Sequence, residues 1–182
     1  MNLRYIIPMM LLILSAPAMA QDGEPTPAAP PTPCGQPESS QFDFWLGEWD
    51  VEAKGKVVGY NNISKLHGGC TLLEEYNATG GAFEGTSFNY FDPSDESWHQ
   101  VWVDNGGTRL HLTGGFADGK MMMSGNRVTP KGEVTDRISW TDNPDGTVRQ
   151  LWELSTDEGA TWQVLFDGLY RHPGDKTGGA GE

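Results

Sequence analysis

Alternating apolar and polar residues, interrupted by short turn signals, dominate this chain from about residue 41 onward. The alternation has the period of two that is typical of β-strands with one buried face, and no segment has a convincing helical period. The candidate strands are residues 45–54, 56–66, 69–77, 84–91, 97–103, 108–114, 120–128, 134–141, 147–155 and 161–171. Turns such as Asn143-Pro144-Asp145-Gly146 are short enough to join neighbouring strands as antiparallel hairpins.

A meander of about ten strands would leave two long exposed edges unless it closed on itself. We therefore predict an all-β fold, an antiparallel up-and-down β-barrel of about ten strands. A barrel of that size has room for more than the side chains that fill it.

The first 20 residues have the pattern of a secretory signal peptide. Arg4 precedes an apolar stretch at residues 5–14, and Ala18-Met19-Ala20 matches an A-x-A cleavage site. The apolar stretch is too short to span a bilayer, and no second apolar run follows it, so no membrane span is predicted. We expect cleavage after Ala20 and secretion, into the periplasm of a bacterium.

Composition divides the remaining chain into three parts. Residues 21–40 are rich in proline, which favours an extended arm or linker that cannot bury a core. Residues 41–172 are predicted to form the barrel domain. Residues 173–182 are Gly-rich and polar, and are expected to be a disordered tail.

The net charge excludes some classes of partner, and the cysteines bear on the redox compartment. The formal net charge of −13 argues against nucleic acid or an anionic membrane surface as a partner. Cys34 and Cys70 are an even pair, which in an oxidising compartment predicts a disulfide. The alternative is a reactive thiol or metal-binding pair, but no His-Cys cluster lies nearby.

One turn matches a named hairpin motif, the Asp box S-x-D-x-G-x-T-W, at residues 155–162. Asp157 is expected to accept hydrogen bonds from turn amides, Gly159 to supply a positive φ, and Trp162 to pack beneath. A single copy excludes a propeller, which would need a repeat. We interpret the motif as a stable hairpin without chemistry.

The segment FDFWLGEWDV at residues 42–51 carries a resemblance to known proteins. Its Gly47-x-Trp49 resembles the G-x-W of lipocalins and other calycins. The longer pattern, including GGCTLLEEY, WHQVWVDNGG and RISWTDNPDGTVRQLWE, resembles a family of secreted bacterial calycin-like proteins classified only as a domain of unknown function. The resemblance implies a calycin-like barrel in which a basic residue of the last strand, here Arg171, stacks on Trp49 and closes one end.

Nitrobindin, a ten-stranded haem barrel, is a more distant relation. This chain lacks the Gly-rich extension of that family's first strand, and His172, directly before Pro173, is not in the context of the family's haem ligand. We therefore predict no haem and no other cofactor.

Several candidate strands mix large aromatic and polar residues on one face. Trp98, Gln100, Trp102 and Asp104 share a face, as do Val148, Gln150 and Trp152. Arg137 and Ser139 share the face opposite Ile138 and Trp140. These patterns suggest a polar and aromatic cavity, with Gln100, Trp102, Arg137, Gln150 and Trp152 as candidate ligand-binding residues. The alternative is a filled core in which buried amides bond to one another.

Catalytic and metal sites find little support in the sequence. The acids Glu74, Glu75, Glu153 and Asp104 are expected to face solvent, and no nucleophile elbow occurs. The four histidines lack metal-ligand spacing, so neither a catalytic residue nor a metal site is assigned.

Three functions follow from these observations. The first is non-catalytic binding of a small, partly apolar molecule inside the barrel. The others are an enzyme that uses interior polar groups and a filled barrel that acts as an interaction module. The sequence does not indicate an oligomeric state.

Overall fold

The computed structural model describes residues 34–175, and these form one closed antiparallel β-barrel. The predicted all-β, up-and-down fold of ten strands is confirmed. The strands are β1 Gly47–Ala53, β2 Lys56–Leu66, β3 Thr71–Ala78, β4 Glu84–Asp92, β5 Ser97–Asp104, β6 Arg109–Ala117, β7 Lys120–Thr129, β8 Gly132–Asp142, β9 Val148–Ser155 and β10 Gln163–Arg171. Each strand pairs with its neighbours in sequence, and β1 pairs with β10 to close the barrel.

The predicted signal peptide, most of the proline-rich arm and residues 176–182 of the predicted tail lie outside the described residues. Three short 3-10 helices, Pro37–Ser40, Asp43–Trp45 and His67–Gly69, supplement the strands. None of the helices within residues 34–175 has the length and apolar character that a membrane span requires.

The chain enters the barrel differently from the expected strand at residues 45–54. Asp43–Trp45 is a 3-10 turn, and β1 begins at Gly47, where φ is +121°. Only glycine adopts such a backbone conformation readily, so the chain can change direction here. The turn places the fully buried Trp45 side chain inside the barrel, ahead of the first strand.

Aromatic side chains close one end of the barrel. Phe42, Trp45, Trp49, Trp98 and Trp140, here called the aromatic plug, are at most 2% exposed. The Phe42 ring stacks on Trp45 with centroids 4.9 Å apart and meets Trp98 and Trp140 edge-on at 5.6 and 5.2 Å. Such offset and edge-to-face pairs are favourable beyond the area they bury.

The N-terminal segment, which contributes Phe42 and Trp45 to the plug, is attached to the barrel wall by a covalent and an ionic link. The predicted disulfide is confirmed, since Cys34 is bonded to Cys70, the residue before β3. The Lys65 ammonium of β2 lies 2.7 Å from the Asp43 carboxylate. These links hold the N-terminal segment at the closed end, and the lining of the candidate site contains none of the plug residues.

The stacking partner of Trp49 differs from the resemblance-based expectation. The His172 ring lies 3.9 Å from the Trp49 ring, nearly parallel to it, whereas Arg171 forms an ion pair with Glu52 at 3.4 Å. Strand alternation explains the difference. Tyr170 of β10 is buried inside the barrel, so Arg171 faces outward, and His172 is the next residue on the side of Trp49.

The hairpin between β9 and β10 has the hydrogen bonds of an Asp box. Asp157 Oδ1 accepts from the Ser155 hydroxyl at 2.7 Å and the Thr161 amide at 2.8 Å, and Oδ2 accepts from the Thr161 hydroxyl at 2.6 Å. Gly159 has φ +89°, and Trp162 packs beneath it. Hydrogen bonds to the charged form, first from the Thr161 side chain, lower the pKa of Asp157 to about 2.

Candidate functional site

A cavity of about 230 Å³ lies inside the barrel, beyond the aromatic plug. Aromatic and aliphatic side chains form most of its wall, and a few polar groups converge on one side. The lining consists of Glu74, Tyr76, Phe83, Gln100, Trp102, Leu110, Ile138, Gln150, Trp152, Leu165, Phe166 and Tyr170. An apolar cavity with a few convergent polar groups is the usual form of a small-molecule site.

The Trp102 indole forms one wall of the cavity. A hydrogen bond to a carboxylate fixes its orientation, and a glycine on the neighbouring strand leaves space for the ring. Trp102 Nε1 donates to Asp104 Oδ2 at 2.9 Å, and Asp104 Oδ1 accepts from the Thr108 amide at 2.9 Å. A Cβ atom at Gly85 would lie 2.1 Å from the Trp102 ring. The indole therefore lies directly over Gly85 on the neighbouring strand, where any other residue would displace it.

The Trp152 wall is held in a similar way by a different carboxylate. Trp152 Nε1 donates to Asp136 Oδ1 at 2.8 Å, and Arg127 Nε donates to Asp136 Oδ2 at 2.6 Å. The Asp136 side chain is fully buried, so this ion pair compensates a charge that would otherwise be costly inside the barrel. Both tryptophans thus have fixed orientations before any ligand enters.

Glu74 is the only carboxyl group among the described residues that line the cavity. It is 3% exposed, and it accepts hydrogen bonds from Asn61 Nδ2 at 2.8 Å and from the Ser87 hydroxyl at 2.6 Å. Burial disfavours the charged form more than these two donors favour it, and raises the pKa of Glu74 to about 7. The group therefore changes charge near neutral pH.

A chain of buried amides continues from Glu74 to Gln100. Ser87 Oγ accepts from Asn89 Nδ2 at 2.8 Å, and Asn89 Oδ1 accepts from Gln100 Nε2 at 2.9 Å. Gln100 is 2% exposed, yet its Oε1 has no hydrogen-bond partner within residues 34–175. Four other buried side-chain atoms of residues 34–175 share this property, including Asn61 Oδ1 and the indole nitrogens of Trp45 and Trp140 in the aromatic plug.

Tyr170 forms the remaining part of the polar side. Its hydroxyl donates a short hydrogen bond to Gln150 Oε1 and lies 3.4 Å from Asn61 Nδ2. Burial, followed by the nearby charge of Glu74, raises the pKa of Tyr170 well above its ordinary value. Burial and Glu74 also raise the pKa of Tyr76. Both phenols therefore stay neutral and act as hydrogen-bonding groups.

Four of the five candidate ligand-binding residues meet at this cavity: Gln100, Trp102, Gln150 and Trp152 line it. The fifth, Arg137, does not. Its guanidinium pairs with Glu153 at 2.8 Å and covers the Trp162 ring at 3.8 Å on the outside of the barrel, where the side chain is 31% exposed. The inward residues of β8 include the buried Ile138, so alternation directs Arg137 outward.

The sequence-based expectation for Glu74 was wrong in placing it toward solvent. Leu72 and Glu74 are both buried, whereas Glu75, the residue after Glu74, is exposed. The signal available in the sequence was that Glu74 alternates in register with Leu72 and Tyr76. That signal identifies a shared face but not the side on which the face lies.

A second group of polar side chains lies outside the cavity, at the turn between β4 and β5. Potential ligand atoms of Asp92, Asp95 and His99 lie within 4.8 Å of one another. They are already engaged, because Asp95 bonds to His99 and Asp92 accepts from both the amide and the hydroxyl of Ser94. We interpret them as turn-stabilising groups and assign no metal.

Comparison of the chain with protein-family models and with curated proteins finds no match. The functional interpretation therefore depends on the cavity and its side chains.

Proposed function

We propose that the barrel binds a small, partly apolar molecule in its cavity. The observation that carries this proposal is an apolar cavity of about 230 Å³ on which the polar side chains of Glu74, Gln100 and Gln150 converge. The carboxylates that orient Trp102 and Trp152 support the same conclusion, since preorganised walls reduce the cost of binding.

The size of the cavity limits the ligand. A cavity of about 150 Å³ holds benzene, and drug-sized molecules occupy roughly 300 Å³ or more. A volume of about 230 Å³ lies between these values. A compound of one or two rings, with about 12 non-hydrogen atoms, is therefore the class that fits.

The two alternatives fit the interior less well. A filled barrel would have no cavity of this size behind the plug. An enzyme would need a second titratable group near Glu74, but the others in the described lining are Tyr76 and Tyr170, whose pKa values are raised. Binding without chemistry therefore accounts for the site with the fewest assumptions.

We also propose that the protein functions outside the cytoplasm, as a secreted calycin-like protein. The Cys34–Cys70 disulfide supports this, because disulfides persist in oxidising compartments. The closed antiparallel barrel agrees with the expected calycin-like architecture.

Isothermal titration calorimetry with 1-naphthalenemethanol tests the binding function directly. At about 0.4 kcal/mol for each of about 12 non-hydrogen atoms, we expect a Kd of roughly 0.3 mM. Leu110→Trp, which fills the cavity from a buried position, should abolish binding. Met122→Trp is the control, since Met122 faces outward and is 48% exposed.

Arg137→Ala should also leave the affinity unchanged, because Arg137 lies outside the barrel. The proposal fails if the wild-type protein shows no saturable binding of this probe or of the amine and carboxylate with the same two rings. It fails equally if Leu110→Trp binds the probe as well as the wild type does, because the site would then lie elsewhere.

A further inference from the structure

The polar side of the cavity presents acceptors to a ligand and few free donors. The hydroxyl of Tyr170 donates to Gln150, and the indoles of Trp102 and Trp152 donate to carboxylates outside the lining. The Gln100 amide nitrogen donates to Asn89. Gln150 Nε2 is the donor that remains free in the described lining. The Glu74 carboxylate is the charged acceptor in the same lining.

Glu74 retains acceptor capacity for a ligand. Each of its oxygens accepts one internal hydrogen bond, Oε1 from Asn61 and Oε2 from Ser87, so further lone pairs remain. A protonated amine offers several N–H donors to such a carboxylate, whereas a hydroxyl group offers one.

The uncharged surroundings of Glu74 also favour a cationic ligand. The flanking strands β2 and β4 present Asn61 and Ser87 to it, and neither group titrates. The titratable groups that face it are the neutral phenols Tyr76 on β3 and Tyr170 on β10. Among the described residues that line the cavity, none is Lys, Arg or His, so no internal cation neutralises the carboxylate.

We propose that the ligand of this cavity is an amine that is protonated at neutral pH and attached to an apolar body of one or two rings. The ammonium group binds the Glu74 carboxylate, and the rings lie between Trp102 and Trp152. The aromatic walls attract the cation in addition to burying the rings. This inference rests on the proposed binding function and specifies its ligand class. An anionic ligand of the same size would be repelled by Glu74.

Three probes with the same two-ring body separate the ligand class from binding itself. They are 1-naphthylmethylamine, the neutral 1-naphthalenemethanol and the anion 1-naphthoate, each titrated calorimetrically into the purified full chain at pH 8. A charge-assisted hydrogen bond in place of a neutral one should make the amine bind about 10- to 100-fold more tightly than the alcohol. The naphthoate should bind more weakly than the alcohol.

Glu74→Gln and Glu75→Gln are a matched pair of variants for this test. Glu74→Gln keeps the side-chain shape but removes the charge, and should bring the amine affinity to within about 3-fold of the alcohol affinity measured in the same variant. Glu75→Gln removes the same charge from the exposed face of the same strand and should leave the amine preference intact.

The pH dependence of wild-type binding provides a second measurement that needs no variant. Because burial raises the pKa of Glu74 to about 7, the carboxylate is lost below neutral pH while the amine stays protonated. The amine affinity should fall by about tenfold per pH unit below 7, and the alcohol affinity should remain nearly constant.

The outcomes separate the two proposals. Equal affinity for amine and alcohol, a preference retained in Glu74→Gln, or an amine Kd independent of pH would overturn the amine assignment and leave the binding function intact. Absence of binding by all three probes would overturn both.

Discussion

Substitution of Glu74 by Gln should make the folded protein progressively more stable than the wild type as the pH rises. The pKa of Glu74 is about 7 in the folded protein, where burial penalises the charged form, and 4.5 for an ordinary glutamate, the value expected after unfolding. Between these two values the unfolded chain has released the proton and the folded chain has kept it. Ionisation therefore favours unfolding across this range, and the wild type loses stability there.

The size of the effect follows from the two pKa values. They differ by about 2.5, and each pKa unit corresponds to about 1.4 kcal/mol, so the wild type should lose about 3 kcal/mol between pH 4 and pH 8 through this group. Glutamine cannot ionise and loses none of it. The difference in free energy of unfolding between variant and wild type should therefore grow by about 3 kcal/mol over this range.

Urea denaturation of both proteins at intervals of one pH unit measures this difference, because other titrating groups cancel in the comparison. Glu75→Gln is the control, since its exposed side chain should change stability by less than about 0.5 kcal/mol at every pH. A constant difference between Glu74→Gln and the wild type from pH 4 to pH 8 would refute the reasoning. It would mean that Glu74 ionises in the folded protein as it does in water.

Three further predictions concern the closed end and the Asp box. Reduction of the Cys34–Cys70 bridge, which spans 36 residues, should cost about 4 kcal/mol and lower the urea midpoint; an unchanged midpoint would contradict the chain-entropy argument. His172→Ala should cost about 1 kcal/mol and alter tryptophan fluorescence, whereas Arg171→Ala should leave the fluorescence unchanged; the reverse result would support the resemblance-based pairing. Asp157→Ala should lower the melting temperature at pH 7. The difference in melting temperature between wild type and variant should shrink as the pH falls from 3.8 toward 2, because the wild-type carboxylate becomes protonated there. A difference that does not depend on pH would count against the turn hydrogen bonds.

The strand number and the closed barrel could be predicted from the sequence because the patterns that indicate them are local. Alternation and turn residues identify ten strands, and the exposed edges of a long meander require closure. The same alternation placed Gln100 and Trp102 on one face of β5, and Gln150 and Trp152 on one face of β9. These residues meet in the cavity because the inward faces of all strands in a closed barrel converge on one interior.

Which polar residues belong to that interior was decided by the tertiary structure. Periodicity shows that Glu74 shares a face with Leu72, but the burial of a carboxyl group depends on donors from other strands, here Asn61 and Ser87. The pKa of about 7 follows from that burial and is invisible in the sequence. Arg137 is the opposite case, a polar residue assigned to the interior that lies outside the barrel. Its guanidinium covers Trp162, a residue after β9 whose position strand alternation does not predict.

The contacts at the closed end of the barrel also could not be predicted from sequence patterns alone. The G-x-W segment, the even pair of cysteines and the strand periodicity are visible in the sequence. The fold adds that His172, one residue beyond β10, stacks on Trp49 while Arg171 pairs with Glu52. Periodicity is a property of neighbours along the chain, whereas contacts across the barrel depend on the register between β1 and β10, which no local pattern encodes.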